Sequence, residues 1–141
     1  MVKKATVVTG TVGQDSHVIG IKLLSRYLME NGFNVVELGG LTPPEEFIKA
    51  AQETAADAIL ISSLYGMAEI DLTGFKEKCN EAGLGDVILY LGGNLAVGRH
   101  DFKEDEQKFK AMGFDRVYPG EVDMAAVVSD LKKDLKAKIK S

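Results

Sequence analysis

"ATVVTGTVGQDSHVIGIKLLSRYLMENG", residues 5 to 32, contains an apolar β-branched run, a glycine-rich loop and an amphipathic stretch in direct succession. The run "ATVVT" at 5 to 9 suits a strand covered on both faces, because its apolar character is continuous rather than alternating. In "HVIGIKLLSRYLMENG", Ile21, Leu24 and Leu28 recur at the spacing of one helix face. That stretch closes on Asn31-Gly32, which can supply a left-handed stop. A strand followed by a helix is one half of a crossover, and the same rhythm runs down the rest of the chain.

Further strands are predicted at 33–38 ("FNVVEL"), 57–62 ("DAILIS"), 86–91 ("DVILYL") and 115–118 ("DRVY"). Helices are predicted between and after them. In "TPPEEFIKAAQET", Thr42 is the expected cap, Pro43 the first helical residue and Glu45 the partner that completes a capping box. Three more helices are expected within "EIDLTGFKEKCNEAG", around "FKEDEQKFKAMG" and in "DMAAVVSDLKKDLKAKIK", whose late lysines complement the helix dipole. Five βα units with right-handed crossovers define an α/β class, a flavodoxin-like (Rossmann-like) doubly wound parallel sheet in the order 2-1-3-4-5. That order makes strands 1, 3 and 4 neighbours, so the loops after them open on one edge.

A chain of 141 residues, 45% of them hydrophobic, supports one core, and residues 1–141 are read as a single domain. The formal charge of −4 offers no broad attraction to nucleic acid or anionic lipid. No segment approaches the roughly 20 apolar residues of a membrane span, and no cleavage-site pattern follows the basic start, so a cytoplasmic location is expected. A single cysteine, Cys79, excludes an internal disulfide, and only two histidines, His17 and His100, leave no zinc-like cluster. Cys79 falls on the third predicted helix and reads as a passive core residue.

Three features fall on the expected functional edge. After strand 1 comes Asp15-Ser16-His17-Val18-Ile19-Gly20, a D-x-H-x-x-G pattern. A neutral imidazole can give one ring nitrogen to a metal while the other donates to a carboxylate, which is the part Asp15 can play. The same residues also suit a plain helix cap followed by a partly exposed histidine. After strand 3 come Ser62, Ser63 and Leu64, with hydroxyls that can bind a polar ligand or satisfy loop backbone. After strand 4 come Gly92 and Gly93, which allow either a tight turn or the close approach of a bulky group.

Taken together, Asp15, His17 and Gly20, then Ser62 and Leu64, then Gly92 and Gly93 resemble the D-x-H-x-x-G, S-x-L and G-G pattern of cobalamin-binding domains that hold the cofactor with its own lower base displaced. "FNVVELG", "SSLYGMAEID", "EKCNEAGL", "LGGNLAVG" and "FKAMGFDRVYPG" extend the likeness over nearly the whole chain to the small cobalamin-binding subunits of glutamate mutase, also called methylaspartate mutase. Met67-Ala68 departs from the glutamine and small residue expected there, and the segment after Pro119 matches poorly; both bear on partner contacts.

The resemblance implies adenosylcobalamin as cofactor, with His17 as the axial ligand to cobalt and Asp15 as the partner of its ring. Gln14, Asp15, Ser16, His17, Val18 and Gly20 would bind it from the first loop, and Ser62, Ser63 and Leu64 from the second. Gly92 and Gly93 would leave room for the displaced dimethylbenzimidazole, and Asn94, Leu95, Ala96, Val97 and Gly98 would line the nucleotide tail. Tyr65 and Glu69 would reach the corrin or the partner. Apart from the cobalt ligand the resemblance places no catalytic residue on this chain. It implies an isomerase that interconverts L-glutamate and 3-methylaspartate by radical rearrangement, as a hetero-oligomer with a larger, glutamate-binding catalytic subunit. The sequence adds that Arg26, Arg99 and Arg116 are scattered, whereas a dicarboxylate is usually clamped by converging arginines. The substrate site is therefore expected on another chain.

Three other readings compete. A corrinoid protein of a methyltransferase system shares the motifs but usually carries a preceding helical domain, which a first strand beginning by about residue 4 leaves unexpected here. An FMN-binding flavodoxin-like carrier would use "TGTVGQ" as a phosphate loop and leave His17 and Gly92-Gly93 without a role. A phosphoacceptor receiver would need an aspartate where strand 3 ends in Ser62-Ser63.

Overall fold

In this computed structural model the described residues are 5–11, 19–39, 42–62, 72–92, 102–118 and 124–140. In chain order they form β1 (Thr6–Thr11), α1 (Ile19–Glu30), β2 (Asn34–Glu37), α2 (Pro44–Thr54), β3 (Ala58–Ser62), α3 (Phe75–Glu81), β4 (Ile88–Gly92), α4 (Phe102–Ala111), β5 (Arg116–Val117) and α5 (Met124–Lys140). The strands make one sheet in the order β2-β1-β3-β4-β5, every pairing parallel. The predicted alternation and strand order are both realised.

Successive residues of each strand point to opposite faces, and both faces are buried. Val7, Ala58, Leu60, Ile88 and Tyr90 share a core with Leu28 of α1 and Val127, Val128 and Leu131 of α5. Val8, Ile59, Ile61, Leu89 and Leu91 share the opposite core with Phe47 of α2, Phe75 and Cys79 of α3 and Phe109 of α4. Fully burying a side chain such as Leu28, Phe47 or Leu131 contributes about 1.5–3 kcal/mol, so each layer is fixed by a few residues. Burial also pushes the Cys79 thiol up to about 11, which agrees with a passive core role.

Two aspartates close the amino edge of the sheet. The Asp57 carboxylate accepts the Thr6 N–H at 3.0 Å, and that of Asp115 accepts the Leu89 N–H at 2.8 Å. Helix α1 ends as expected, with Gly32 at φ 91°. The start of α2 differs from expectation by one residue. Pro43 is the N-cap, extended at ψ 149° and without a side-chain cap, and Pro44 opens the helix. A proline disfavours helical geometry in the residue before it, so Pro44 excludes Pro43 from the helix and leaves Thr42 outside it. The Thr42 hydroxyl is shared between the carbonyls of Leu38 and Gly39, at 3.4 and 3.2 Å, and no capping box forms.

Candidate functional site

The carboxyl edge of the sheet carries the site. Thr11, the last residue of β1, is in register with Ser62, the last of β3, and Ser62 is in register with Gly92, the last of β4. These three strand ends form one row at the point where the strand order reverses, where open α/β sheets bind their ligands. Alternation gives the row a side: Thr11, Ser62 and Gly92 have the parity of Val7, Leu60 and Tyr90, which face α1 and α5.

Gly92 is informative because nothing among the described residues requires a glycine there. It is absent from the glycines with positive φ, so the tight-turn reading does not apply to it. A Cβ built on it would lie 3.6 Å from the Cβ of Tyr118 and 3.9 Å from the Tyr118 carbonyl oxygen, ordinary van der Waals spacing. The missing side chain leaves room over the end of β4 that a bulky group can use. Gly10 has a different cause. It belongs to β1, not to a slack loop, and a Cβ on it would meet the Phe47 ring at 3.0 Å and the Gly39 carbonyl at 3.3 Å. The glycine-rich look of the opening stretch therefore owes its first glycine to the packing of α2.

One row deeper, Thr9, Leu60 and Tyr90 are in register. Thr9 and Ser25 of α1 are both completely buried, and their hydroxyl oxygens lie 2.7 Å apart, either able to donate. Tyr90 donates to Asp134 of α5, and Tyr118 donates to Asp130 at 2.8 Å. Arg116 spans Asp134 with Nε at 2.8 Å and Nη2 at 3.0 Å, the two-pronged geometry that suits guanidinium and carboxylate. The Arg116 hydrogen bonds hold the Asp134 carboxyl below its ordinary range. Burial first, and then the bonds to Asp134 and Asp130, raise the phenols of Tyr90 and Tyr118. Both remain neutral at any physiological pH and tie α5 to the sheet beside Gly92.

Of the expected site residues, Gly20 lies in α1, and Ser62 and Gly92 lie together in the row. Gln14, Asp15, Ser16, His17, Val18, Ser63, Leu64, Gly93, Asn94, Leu95, Ala96, Val97 and Gly98 lie outside the described residues, as do Tyr65, Met67, Ala68, Glu69 and His100. The chain directs both ends of 12–18 to this edge, since β1 finishes there and α1 starts from Ile19. Sequence reasoning missed Thr9, Ser25 and Tyr118. A polar residue at parity-matched positions of a strand and a helix was the available signal for the first two. For Tyr118 there was none, because its nearness to Gly92 arises from strand pairing. Among the described residues no helix is long and apolar enough to cross a membrane.

Residues 5–129 match the family model described as the B12 binding domain. The glutamate mutase sigma subunit of Clostridium cochlearium is 51% identical over 133 residues, 94% of this chain and 97% of that one. That of Carboxydothermus hydrogenoformans is 54% identical over 133 residues, with the same two shares. Among solved structures, a cobalamin-binding protein from Desulfitobacterium hafniense superposes with a TM-score of 0.75 at 22% identity, over 94% of this chain and 60% of that one. The monomethylamine corrinoid protein of Methanosarcina barkeri gives 0.72 at 20% identity, over 92% and 58%. At such identities these two likenesses speak for the fold alone.

Proposed function

Because the chain belongs to the B12 binding domain family and, within it, to the glutamate mutase sigma subunits, we propose that the row Thr11-Ser62-Gly92 borders the slot for a displaced cobalamin base and that His17 ligates the cobalt. The chain is a cobalamin-binding subunit of a glutamate mutase, an isomerase assembled from more than one kind of subunit. The observation that carries the slot is Gly92, a glycine that neither conformation nor packing among the described residues demands. The methyltransferase reading is not favoured: its corrinoid proteins share the fold at 20–24% identity, whereas sigma subunits match at about half identity over nearly the whole chain.

When bound, adenosylcobalamin supplies a cobalt–carbon bond that cleaves homolytically, the source of the radical chemistry that interconverts L-glutamate and 3-methylaspartate. This chain's part is to hold and orient. His17 would offer a neutral ring nitrogen to the metal, and Asp15 would accept from the other nitrogen, fixing tautomer and orientation and raising basicity. Ser62 gives a hydroxyl to the base, and Leu64 an apolar contact. Gly92 and Gly93 would leave room, and Gln14, Ser16, Val18, Gly20, Ser63 and Asn94 to Gly98 would complete the wall. The larger catalytic subunit carries the glutamate, and the assembly works in the cytoplasm.

The test is spectroscopic. Cob(II)alamin bound to the wild-type chain is expected to show electron-spin coupling to one histidine nitrogen, lost in His17→Ala. Coupling that persists in that variant would remove His17 from the metal. Asp15→Asn is expected to bind roughly 10- to 100-fold more weakly, the usual loss when the partner of a metal-bound histidine is altered.

A further inference from the structure

We propose that the hydrogen bond between Thr9 and Ser25 is a positioning staple for the cobalt-binding segment, joining the strand and the helix between which residues 12–18 run. The inference rests on the assignment of His17 to cobalt. Thr9 stands two residues before the end of β1, and Ser25 lies in the middle of α1, so their bond closes a loop of the chain that contains all of 12–18.

Two hydroxyls buried completely are a poor choice for stability alone. A hydrogen bond of this kind contributes about 0.5–1.5 kcal/mol net, and an apolar pair of similar shape can do as well. What the hydroxyl pair adds is direction. Apolar burial is indifferent to small slides and rotations of a helix, whereas a hydrogen bond weakens steeply with misalignment.

The location gives that direction a use. In the first half of α1, Lys22 and Leu23 are exposed and Leu24 is half-buried, and Ser25 is the first fully buried side chain among those described. The next, Leu28, sits three residues nearer the far end of the helix. Among the described contacts, the half of α1 that follows His17 meets that core through half-buried Leu24, an apolar contact without direction, and through Ser25, which supplies a directional one. A slide of one residue along β1 moves a partner by roughly 3.3 Å, whereas a metal–nitrogen bond tolerates about 0.2 Å. Thr9 also lies one row below Thr11 on the face of the sheet that borders the slot.

The test uses the full chain with cob(II)alamin, titrated optically and read by electron-spin resonance at saturation. Thr9→Val and Ser25→Ala are expected to bind roughly 10-fold more weakly, with part of the bound cofactor lacking nitrogen coupling. Thr9→Ser, which keeps the hydroxyl, should behave as wild type. The double variant Thr9→Val/Ser25→Ala leaves no orphaned hydroxyl, so it should regain thermal stability without regaining full coupling. Wild-type affinity and complete coupling in both single variants would overturn the staple, as would recovery of coupling together with stability in the double variant. Absence of nitrogen coupling in the wild-type chain would instead overturn the assignment of His17, so the two failures are distinguishable.

Discussion

Gly10 and Gly92 both lie near the carboxyl edge of the sheet, on β1 and β4, yet the reasons for them differ, and substitution separates the two. At Gly10 an added methyl group would stand 3.0 Å from the Phe47 ring. Gly10→Ala is expected to destabilise the protein by about 1–3 kcal/mol, the usual cost of overpacking, and Phe47→Leu in the same chain should return part of it. A denaturant midpoint unmoved by Gly10→Ala would contradict this. At Gly92 the same methyl group meets only ordinary contacts among the described residues, so Gly92→Ala should keep a thermal midpoint within a few degrees of wild type. Gly92→Leu should fold and bind cobalamin at least about 10-fold more weakly, because the longer side chain enters the slot. Asp15 and His17 stood out as candidates because an acid and a histidine at that spacing can carry chemistry, which is a matter of residue type alone. Gly92 was legible only as a choice between a tight turn and room for a bulky group, and Gly10 only as part of a glycine-rich loop, because a glycine's meaning lies in which neighbour would touch its Cβ.

Elements were legible where hydrophobic periodicity was long. Val7-Val8, the runs at 58–61 and 88–91 and the Leu24–Leu28 spacing gave strands and helix α1 within two residues of their observed limits. The start of α2 was misplaced because two consecutive prolines compete for one role, and the second excludes the first from the helix. The join between α4 and β5 exposes a further constraint. Gly113 has φ 111°, and a Cβ there would lie 2.5 Å from Cβ and Cγ of Lys76 on α3. Gly113→Ala combines left-handed strain with a clash against the fixed base of a side chain, and is expected to cost at least about 1–3 kcal/mol by chemical denaturation. Lys76→Ala beside it removes Cγ but not Cβ, so it should rescue little; full rescue would mean that the clash, not φ, dominates.

Across the whole molecule, α5 is fastened through Tyr90, Arg116, Tyr118, Asp130 and Asp134, and the charge states of that network give stability a pH dependence. Asp134 is held low by Arg116, so its contribution is complete above the unfolded carboxylate value and disappears as the pH falls through the lowered folded value. Tyr90 and Tyr118 are raised above the ordinary phenol value of 10.0, chiefly by burial. Their contribution is complete below that value and declines as the pH rises past it, because the unfolded chain ionises first. The urea midpoint is therefore expected to fall from about pH 10 upward, and Tyr90→Phe/Tyr118→Phe should flatten that alkaline limb. An equally steep limb in the double variant would assign the loss to other groups.

The sequence by itself determined the class of fold and the strand order, because apolar runs and helical spacing are local properties that tertiary contacts did not override. It also placed Ser62 and Gly92 after neighbouring strands. Only the tertiary structure decided that those two residues share one register row with Thr11, that Tyr118 stands beside Gly92, and that Thr9 meets Ser25 across 16 residues. The physical reason is that register and helix placement are set by the joint packing of both faces of the sheet. Even Thr9 and Ser25, which a single stretch contains, are brought together by that packing and not by their spacing in the chain.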